Sequence, residues 1–295
     1  MRVVAVLPCW NARDRLADVT SALRDQVSSL VAIDNGSDDG SAAWLRGQSF
    51  VQLIANEANE GFPRVVNQGI ERALHMGADA VLLVNDDAYF AAGAVDALAA
   101  ALVDDGRAAS ATAKMRYRAR PHVLNGTGGA FDRDRGWAAL RGAGEIDRGQ
   151  YDDLKTADYP SGAASLLRST ALQSIGGLDE RYYLYFEDAD WGLRAADAGW
   201  RTRYVPDALV LHEGSAGTRS DPARRRYYNV RNRLLLAGRY ASEIGRARAW
   251  AETAALLARQ PLRWPTPWRR RDAEAVVAGV ADHLAGRYGR GRRFG

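Results

Sequence analysis

The amino-acid sequence predicts an α/β protein built on a mainly parallel sheet, and three observations support this class. Short apolar runs alternate with amphipathic helical stretches up to Val103, as expected of repeated strand–helix units. Several of the runs end in polar or acidic residues, at the edge where open α/β sheets bind ligands. The chain has 295 residues, 47% of them hydrophobic, so it can bury a large core.

The predicted sheet is organised around the run Ala80–Val84, which is followed at once by Asn85, Asp86 and Asp87. A continuous apolar run is typical of a strand buried on both faces. The two carboxylates at its end repel each other unless a cation neutralises them, and Mg²⁺ or Mn²⁺ prefers such oxygen ligands. The alternative is an acidic turn that caps the following helix, predicted over Ala91–Val103.

The chain before this strand contains three further strand–helix units. The turn after the first strand, Pro8–Asn11, has no glycine, which argues against the glycine-rich fingerprint that binds NAD or FAD. The predicted pairs of strand and helix are Arg2–Leu7 with Asn11–Gln26, Leu30–Ile33 with Ser41–Arg46, and Phe50–Ala55 with Pro63–Met76. A parallel arrangement brings four loops to one ligand edge: Pro8–Asn11, Asp34–Asp39, Asn59–Arg64 and Asp86-Asp87.

The second half of the chain predicts a mixed continuation of the sheet. Shorter strand-like runs occur at Ala111–Tyr117 and Ala163–Leu167, and two more strands are predicted over Trp200–Val205 and Ala208–Leu211. Between them lies the aromatic and acidic stretch Tyr182–Trp191, which leads into a helix that ends near Gly199.

Composition limits the cellular setting. Cys9 is the only cysteine, so no intrachain disulfide is possible and a reducing compartment is indicated. The apolar run at the start of the chain is too short for the core of a signal peptide. No apolar stretch reaches the roughly 20 residues of a membrane span. We therefore predict a cytoplasmic protein, with the inner face of the membrane as a possible place of contact.

Residues 216–295 differ from the rest in charge, with 18 arginines against 6 acidic residues. We predict a basic helical extension over residues 240–295. Trp264 and Trp268 beside Arg269–Arg271 suit a segment that lies on anionic lipid. The alternative is a helical pair packed on the main domain. Nucleic acid is not expected as a partner, because no recognised nucleic-acid-binding motif accompanies the arginines.

A series of short motifs carries a family resemblance. In chain order they are Asp34–Ser41, Asn59–Phe62 with Asn67-x-Gly69, Asn85–Asp87, Ser161-Gly162, Gly176–Glu180, Phe186–Trp191, His212–Ser215 and Tyr228–Asn232. With these motifs in this order, the stretch from Val3 to about Arg233 resembles an inverting family 2 glycosyltransferase of the GT-A fold, in its bacterial rhamnosyltransferase-like branch. The resemblance implies a catalytic domain over residues 1–239, with a nucleotide-sugar half (1–107) and an acceptor half (108–239).

The resemblance implies that Asp87 and His212 bind Mn²⁺ or Mg²⁺, which neutralises the leaving nucleotide diphosphate. A structural role is the alternative for His212, and whether Asp86 also binds the metal stays open. The acceptor hydroxyl needs a general base. Asp188 is the first candidate and Glu187 the second; Asp190 belongs to the same catalytic set, with the orientation of neighbouring groups as its alternative role. An acidic triplet at a helix start can also simply complement the helix dipole.

The same resemblance implies the remaining site residues. Asp34 is expected to accept a hydrogen bond from the N3–H of a pyrimidine, and Arg231-Asn232 is a candidate phosphate clamp. Arg64 either reaches the diphosphate or faces solvent. The predicted nucleotide-sugar set is Pro8, Trp10, Asn11, Asp34, Asn35, Ser37, Asn59, Gly61, Phe62, Arg64, Asn67, Asp86, Asp87, Arg231 and Asn232. The predicted acceptor and sugar pocket is Ser161, Gly162, Tyr185, Phe186 and Trp191.

The implied reaction moves a sugar, rhamnose being favoured, from a dTDP- or UDP-sugar to a hydroxyl group. The acceptor is expected to be a glycan, a lipid-linked glycan or a secondary metabolite, and the sequence is compatible with a homodimer. Two other functions stay open. A sugar-1-phosphate nucleotidyltransferase would share the sheet and metal, yet it should have a glycine-rich, basic first loop. An inactive nucleotide-sugar-binding scaffold would share the whole site.

Overall fold

The computed structural model of the protein describes residues 1–214, 221–261 and 267–294. Within residues 1–214, ten strands form one sheet and two others form a separate hairpin. The strands are β1 (Val3–Cys9), β2 (Ser29–Asn35), β3 (Val51–Asn56), β4 (Ala80–Val84), β5 (Ala88–Phe90), β6 (Ala108–Tyr117), β7 (Arg120–Gly126), β8 (Gly129–Asp132), β9 (Trp137–Leu140), β10 (Thr156–Ala157), β11 (Ala164–Arg168) and β12 (Arg201–His212).

Helices cover both faces of this sheet and form the C-terminal part of the chain. They are α1 (Arg13–Leu23), α2 (Ser41–Arg46), α3 (Phe62–His75), α4 (Ala94–Asp104), α5 (Ser169–Ile175), α6 (Glu187–Asp197), α7 (Pro222–Tyr240), α8 (Glu243–Ala258) and α9 (Pro267–Leu284).

The N-terminal half of the sheet is parallel, as predicted. Its strands are ordered β3-β2-β1-β4, and each neighbouring pair is parallel. In this register Cys9 at the end of β1 pairs with Asp34, and Asn35 pairs with Asn56. The carboxyl ends of these strands therefore meet at one edge, which is where the sequence placed the polar loops.

The C-terminal half of the sheet is mixed, which confirms the second expectation. β11 runs antiparallel to both β4 and β6, and β12 runs parallel to β6. The prediction of two strands over residues 200–211 is wrong in detail, because β12 is continuous and has a register shift between Val205 and Leu209. Pro206 lies at that shift, where its missing N–H removes no hydrogen bond of the ladder.

Alternate residues of the central strands pack into two cores. Val3, Ala5 and Leu7 of β1 face one apolar cluster, while Val4 and Val6 face the other. Because helices cover both faces, every one of these side chains is buried. This double burial explains why the strands have continuous apolar sequences instead of an alternating pattern.

The described part of the C-terminal extension packs on α7. The ring of Phe294 stacks on Tyr227 with centroids 5.3 Å apart, and the Tyr227 hydroxyl donates to Asp282 at 2.5 Å. Gly291 donates its N–H to the Tyr228 hydroxyl at 2.9 Å. Of the two alternatives for residues 240–295, the packed arrangement is the one that the described residues adopt. Trp264 and the side chain of Trp268 lie outside the described residues.

No helix of the described residues combines the length and the apolar character needed to cross a membrane.

Candidate active site

A cavity of about 250 Å³ lies at the carboxyl edge of the parallel strands. It collects residues from every loop that the sequence placed at this edge, together with residues from the C-terminal half. Its lining consists of Pro8, Cys9, Trp10, Asn35, Asn59, Gly61, Phe62, Val65, Asn85, Asp86, Asp87, Ser161, Gly162, Ala163, Tyr183, Leu184, Tyr185, Glu187, Asp188, His212 and Arg224.

One wall of the cavity is held together by amide side chains. Asn35 donates to the Asn59 side chain at 3.2 Å and accepts from the N–H of Glu60 at 2.8 Å. The Tyr183 hydroxyl donates to the carbonyl of Asn59 at 3.2 Å. Gly61 has φ +88°, and an added Cβ would lie 2.5 Å from the Tyr183 ring. Only glycine fits this position, where the loop passes residues 182–186, which we call the aromatic segment.

Asp34 lies behind this wall at the end of β2. It is 2% exposed, and one of its carboxylate oxygens accepts from the N–H of Ser37 at 3.1 Å. The Ser37 hydroxyl accepts in turn from the N–H of Asn11 at 2.9 Å. These three residues shape the turns beside Trp10, which does line the cavity. The contact of Asp34 with a pyrimidine stays a prediction.

The acidic turn after β4 is paired with basic side chains. Asp86 lies 3.5 Å from the guanidinium of Arg15 and accepts from the N–H of Trp10 at 3.4 Å. Burial raises the pKa of Asp86 to about 6, and the nearby charge of Arg15 opposes that rise. The carboxylate of Asp87 lies 2.9 Å from Nε2 of His212, which β12 brings to the same place.

The second ring nitrogen of His212 has its own partner. Nδ1 lies 2.9 Å from the side-chain oxygen of Asn125, and in the tautomer that carries the proton on Nδ1 this nitrogen donates to that oxygen. In the neutral ring Nε2 is then a lone pair directed at Asp87, and it is buried without a hydrogen-bond donor in the described residues. Two acceptors held this close suit a shared cation, whereas a doubly protonated His212 would instead donate to Asp87.

The described residues contain no group of three His, Cys, Asp or Glu side chains that could hold a metal by themselves. A cation between Asp87 and His212 would therefore need further oxygen ligands from substrate or water, which is usual for Mg²⁺ sites that bind phosphates. The two side chains fit a divalent metal as a partial ligand set.

The other acidic group of the cavity lies at the start of α6. Asp188 accepts from the N–H of Gly162 at 3.0 Å and from the N–H of Ala189 at 2.8 Å. Burial raises the pKa of both Glu187 and Asp188, and the charge of Asp188 adds to burial in raising the pKa of Glu187 to about 8. Glu187 Oε2 is buried without a hydrogen-bond partner among the described residues.

Asp190 is turned away from the cavity, although it follows these residues directly. Its side chain is fully buried and forms ion pairs with Arg194 at 2.8 Å and Arg239 at 2.5 Å. The hydroxyls of Tyr182 and Tyr240 donate to the same carboxylate at 3.3 and 3.0 Å. These contacts hold α6 against α7, so Asp190 does not join Glu187 and Asp188 in the cavity, contrary to its place in the predicted catalytic set.

The prediction of a phosphate clamp at Arg231-Asn232 is wrong. Both side chains are fully buried outside the cavity, on the face of α7 that supports the aromatic segment. Asn232 donates to the carbonyls of Tyr182 and Leu184 at 2.8 Å each, and Arg231 donates to the Tyr182 carbonyl at 3.0 Å. Their donors are used by the main chain, so they position the segment instead of binding phosphate.

Two more predicted site residues are structural for similar reasons. Trp191 is fully buried in the core, and its indole N–H donates to the carbonyl of Gly176 at 2.9 Å. Asn67 both accepts from the N–H of Leu178 at 2.8 Å and donates to its carbonyl at 2.9 Å. Neither side chain lines the cavity, because each is needed to fix the loop that precedes the aromatic segment.

Arg64 and Phe186 also lie outside the cavity. The Arg64 side chain is 55% exposed and pairs with Glu60 at 3.5 Å, so it faces solvent, which was the second of its two predicted alternatives. Phe186 lines a different cavity, formed with α7 and α8.

Arg224 is a cavity residue that the sequence analysis did not select. Its guanidinium lies 5.7 Å from the ring centroid of Trp10 and 5.8 Å from that of Tyr183. One signal was present in the sequence. Arg224 precedes Tyr228 and Arg231 by four and seven residues, so all three share one face of a helix. Asn85, which lines the cavity as well, was visible only as part of the acidic motif.

A sheet covered by helices on both faces, with a polar cavity at the carboxyl edge of its parallel strands, defines the class of α/β proteins that bind ligands at this edge. Residues 2–237 of the chain match a family model described as "Glycosyltransferase like family 2". This chain belongs to glycosyltransferase family 2, as its motifs predicted.

One curated relative is the N-acetylglucosaminyl-diphospho-decaprenol L-rhamnosyltransferase of Mycobacterium tuberculosis. It is 49% identical over 63 residues, which are 21% of this chain and 20% of the relative. The matched part thus spans about a fifth of that protein.

Two solved structures share the fold. The mannosyltransferase PcManGT from Pyrobaculum calidifontis, solved in complex with GDP-Man and Mn²⁺, has a TM-score of 0.57 at 17% identity, covering 96% of this chain and 87% of that one. The S. aureus TarS fragment 1-349, in complex with UDP-GlcNAc, has a TM-score of 0.54 at 14% identity, covering 98% and 93%. The GT-A fold is therefore the fold of this chain.

Proposed function

We propose that this protein is a metal-dependent inverting glycosyltransferase that moves a sugar from a dTDP- or UDP-sugar to a hydroxyl of a glycan or lipid-linked glycan. One observation carries the proposal: two acidic groups line the same cavity, and their surroundings differ. Asp87 lies against His212, whereas Glu187 and Asp188 are buried beside each other. An inverting transfer needs one group that holds charge and another that takes a proton.

Asp188 is the proposed general base. The N–H groups of Gly162 and Ala189 donate to its carboxylate and favour the ionised form, while Glu187 keeps its proton at neutral pH. Asp188 is chosen as the base because two main-chain N–H groups donate to its carboxylate, whereas Glu187 Oε2 has no hydrogen-bond partner among the described residues. Asp188 takes the proton of the acceptor hydroxyl while the oxygen of that hydroxyl forms a bond to the anomeric carbon. The bond from that carbon to the diphosphate breaks on the opposite face.

Asp87 and His212 are the proposed protein ligands of Mn²⁺ or Mg²⁺. The ion would supply neutralisation of the charge that develops on the leaving diphosphate. The mannosyltransferase that shares the fold was solved in complex with Mn²⁺, which supports this assignment. Arg224 replaces Arg231 as the candidate arginine for the diphosphate, because its guanidinium lies in the cavity beside Trp10.

The name of the curated relative supports rhamnose as the transferred sugar and a lipid-linked diphosphate sugar as the acceptor. The preference for a uracil or thymine nucleotide rests on Asp34. A cytoplasmic location, with contact at the inner face of the membrane through residues 240–295, and a homodimer remain predictions.

The experiment is to incubate the protein with dTDP-rhamnose, and in parallel with UDP-sugars, in the presence of Mn²⁺ and acceptor glycans. We expect release of nucleoside diphosphate and a product with the inverted anomeric configuration by NMR. Release of pyrophosphate would identify a nucleotidyltransferase instead. Binding of nucleotide sugar with no turnover on any acceptor would identify an inactive scaffold.

A further inference from the structure

Asn125, near the end of β7, contacts a lining residue of the active-site cavity from outside. It is 6% exposed, and its side-chain oxygen lies 2.9 Å from Nδ1 of His212. The cavity lining found among the described residues does not include Asn125. None of the sequence motifs selected it, and the proposed function does not use it. Its contact with His212 therefore offers a way to act on the reaction without touching the substrates.

A bulge in β7 places Asn125 outside the regular pairing of the strands. Met115 of β6 pairs with Gly126. The next residue of β6, Arg116, pairs with Leu124. A regular antiparallel ladder would pair Arg116 with Asn125, so Asn125 is the extra residue on β7. Bulges re-aim a side chain and are common next to active sites. Here the extra residue supplies the side chain that meets the imidazole.

The contact between Asn125 and His212 crosses a whole strand. Met115 of β6 pairs with Val210 of β12 on one side and with β7 on the other, so β6 runs between the two strands. The two side chains meet over β6 and connect β7 with β12. This contact fixes the imidazole ring at the end of β12, where Nε2 of His212 lies 2.9 Å from Asp87.

The chain that follows His212 leaves room for the amide of Asn125. Gly214 has φ of +79°, in the left-handed region that favours glycine. A Cβ added there would lie 3.4 Å from Nδ2 of Asn125 and 3.2 Å from the ring of Tyr117. The amide nitrogen thus lies on the side of Gly214, and the amide oxygen lies on the side of the imidazole.

The two neutral tautomers of His212 differ in which two acceptors face each other. With the proton on Nδ1, Asn125 accepts it, and the lone pair of Nε2 faces the carboxylate of Asp87. With the proton on Nε2, Asp87 accepts it, and the lone pair of Nδ1 faces the oxygen of Asn125. Facing acceptors are unfavourable unless a cation lies between them. A cation in the cavity can reach Asp87 and His212, whereas Asn125 lies outside the described lining.

We propose that Asn125 is a positioning residue. Its side-chain oxygen holds the proton of His212 on Nδ1, and Nε2 thereby presents its lone pair to a divalent cation beside Asp87. The inference rests on the proposed function and adds to it a residue that sets the affinity of the ion site. An outer partner of this kind fixes the ring of a metal-binding histidine, and its loss typically weakens metal binding about 10–100-fold.

The test measures Mn²⁺ binding without sugar transfer. Electron paramagnetic resonance gives the dissociation constant of Mn²⁺ at a fixed concentration of UDP or dTDP, with no acceptor present. Asn125→Leu keeps the branching of the side chain and removes its oxygen, so this constant should rise about 10–100-fold. Asn56→Leu is the matched control. Asn56 ends β3, donates to the side chain of Gln68 at 3.0 Å and is not part of the described cavity lining.

Asn125→Asp separates the two orientations of the amide. A carboxylate accepts the Nδ1 proton at the same place and cannot donate, so Mn²⁺ should bind at least as tightly as in the wild type. If Asn125 instead donated to His212 through its amide nitrogen, Asn125→Asp would lose Mn²⁺ affinity as Asn125→Leu does. That result would overturn the inference.

NMR of the protein with isotope-labelled histidine observes the tautomer directly, with diamagnetic Mg²⁺ in place of Mn²⁺. The variant His212→Ala identifies the signals of His212. We expect its proton on Nδ1, protected from exchange with solvent, in the wild type and in Asn125→Asp. The inference would fail if the proton were on Nε2, or if the Nδ1 proton exchanged as fast as that of the exposed His122. This measurement decides the matter even where Asn125→Leu does not fold.

Equal Mn²⁺ affinity in Asn125→Leu and Asn56→Leu would also overturn the inference, and sugar transfer by the wild type would then leave the proposed function intact. If the variants bind Mn²⁺ as expected and the wild type transfers no sugar, the role of Asn125 at the ion site stands and the proposed function fails.

Discussion

The active-site cavity contains two pairs of neighbouring carboxyl side chains, and the pairs differ in whether a basic side chain lies beside them. Asp86 and Asp87, after β4, lie within ion-pair distance of Arg15 and His212. Glu187 and Asp188, at the start of α6, have no ion pair with a basic side chain in the part of the chain that the structure describes. Basic neighbours favour a carboxylate that stays charged, whereas burial beside another acid favours a carboxyl group that exchanges a proton.

The comparison shows how one cavity can support both halves of a displacement reaction. In the first group, Asp87 beside His212 suits a negative charge that holds a cation. The second suits a base that is neutralised in the transition state. Changing one side chain at a time tests whether this division is real.

The largest effect is expected for Asp188→Asn. The substitution keeps the shape of the side chain and removes the carboxylate that takes the proton, so kcat should fall by about 10²–10⁴-fold. Donor affinity, measured by calorimetry, should stay within the error of the wild type because the Asp87 side of the cavity is unchanged. Near-normal kcat in this variant, together with loss of transfer in Glu187→Gln, would move the base to Glu187.

The next effect is expected for Asp87→Ala. This variant loses the carboxylate beside His212, so the dissociation constant of the nucleotide sugar measured with Mn²⁺ should rise at least about 100-fold, which corresponds to about 2.7 kcal/mol of lost charge stabilisation. Without Mn²⁺ the wild type and the variant should bind the donor equally. An unchanged response to Mn²⁺ would place the metal elsewhere.

Asp190→Asn should act on stability and leave the chemistry in place. The neutral amide of Asn cannot compensate the positive charges of Arg194 and Arg239. The free energy of unfolding, measured by urea denaturation, should therefore fall by about 3–5 kcal/mol. Asp197→Asn is the control, because Asp197 is an exposed acid on the same helix. A loss of kcat comparable to that of Asp188→Asn in the folded variant would show that Asp190 belongs to the reacting group.

The smallest effect is expected for Glu187→Gln, and it depends on pH. Burial and the charge of Asp188 raise the pKa of Glu187 from 4.5 to about 8, so the native state binds its proton more tightly than the unfolded state does. That contribution to stability is complete below pH 4.5 and is lost as the pH rises through 8. The free energy of unfolding should therefore fall less between pH 5 and pH 8 in the variant.

Activity of Glu187→Gln completes the same test. Gln resembles a protonated glutamic acid, so kcat at neutral pH should be little changed. An identical pH dependence of stability in variant and wild type would show that Glu187 is ionised in the native state.

The parallel half of the fold was predictable because its signals are local. Ala80–Val84 is a strand with the predicted bounds, and the polar loops after β1, β2 and β3 meet where parallel pairing requires. The short strands β5 and β7–β10 were not predicted. β5 and β10 form by pairing with the distant strand β12, whereas β7 pairs with the preceding β6 and β8 pairs with β9. These strands are too short for their own residues to carry a periodic signal.

The site was predicted to the same extent and for the same reason. Loop residues that follow strands, such as Asn59 and Asp87, line the cavity because the sheet edge places them there, and Asp188 reaches it from the start of α6. Trp191 and Arg231 were misassigned because a motif shows which residues occur together and not which face of a helix points inward. Arg224 was missed because its neighbours in sequence are also arginines, and only the packing of α7 separates it from Arg225.

The support behind the aromatic segment has a consequence for how the enzyme is made. Arg231 donates to the carbonyls of both Tyr182 and Gly289, so one guanidinium joins the segment beside the proposed general base to the residues that follow α9. During synthesis, the partners around Gly289 emerge from the ribosome more than a hundred residues after Tyr182. We expect a nascent chain to carry a nearly complete sheet and yet to remain inactive until this last contact can form.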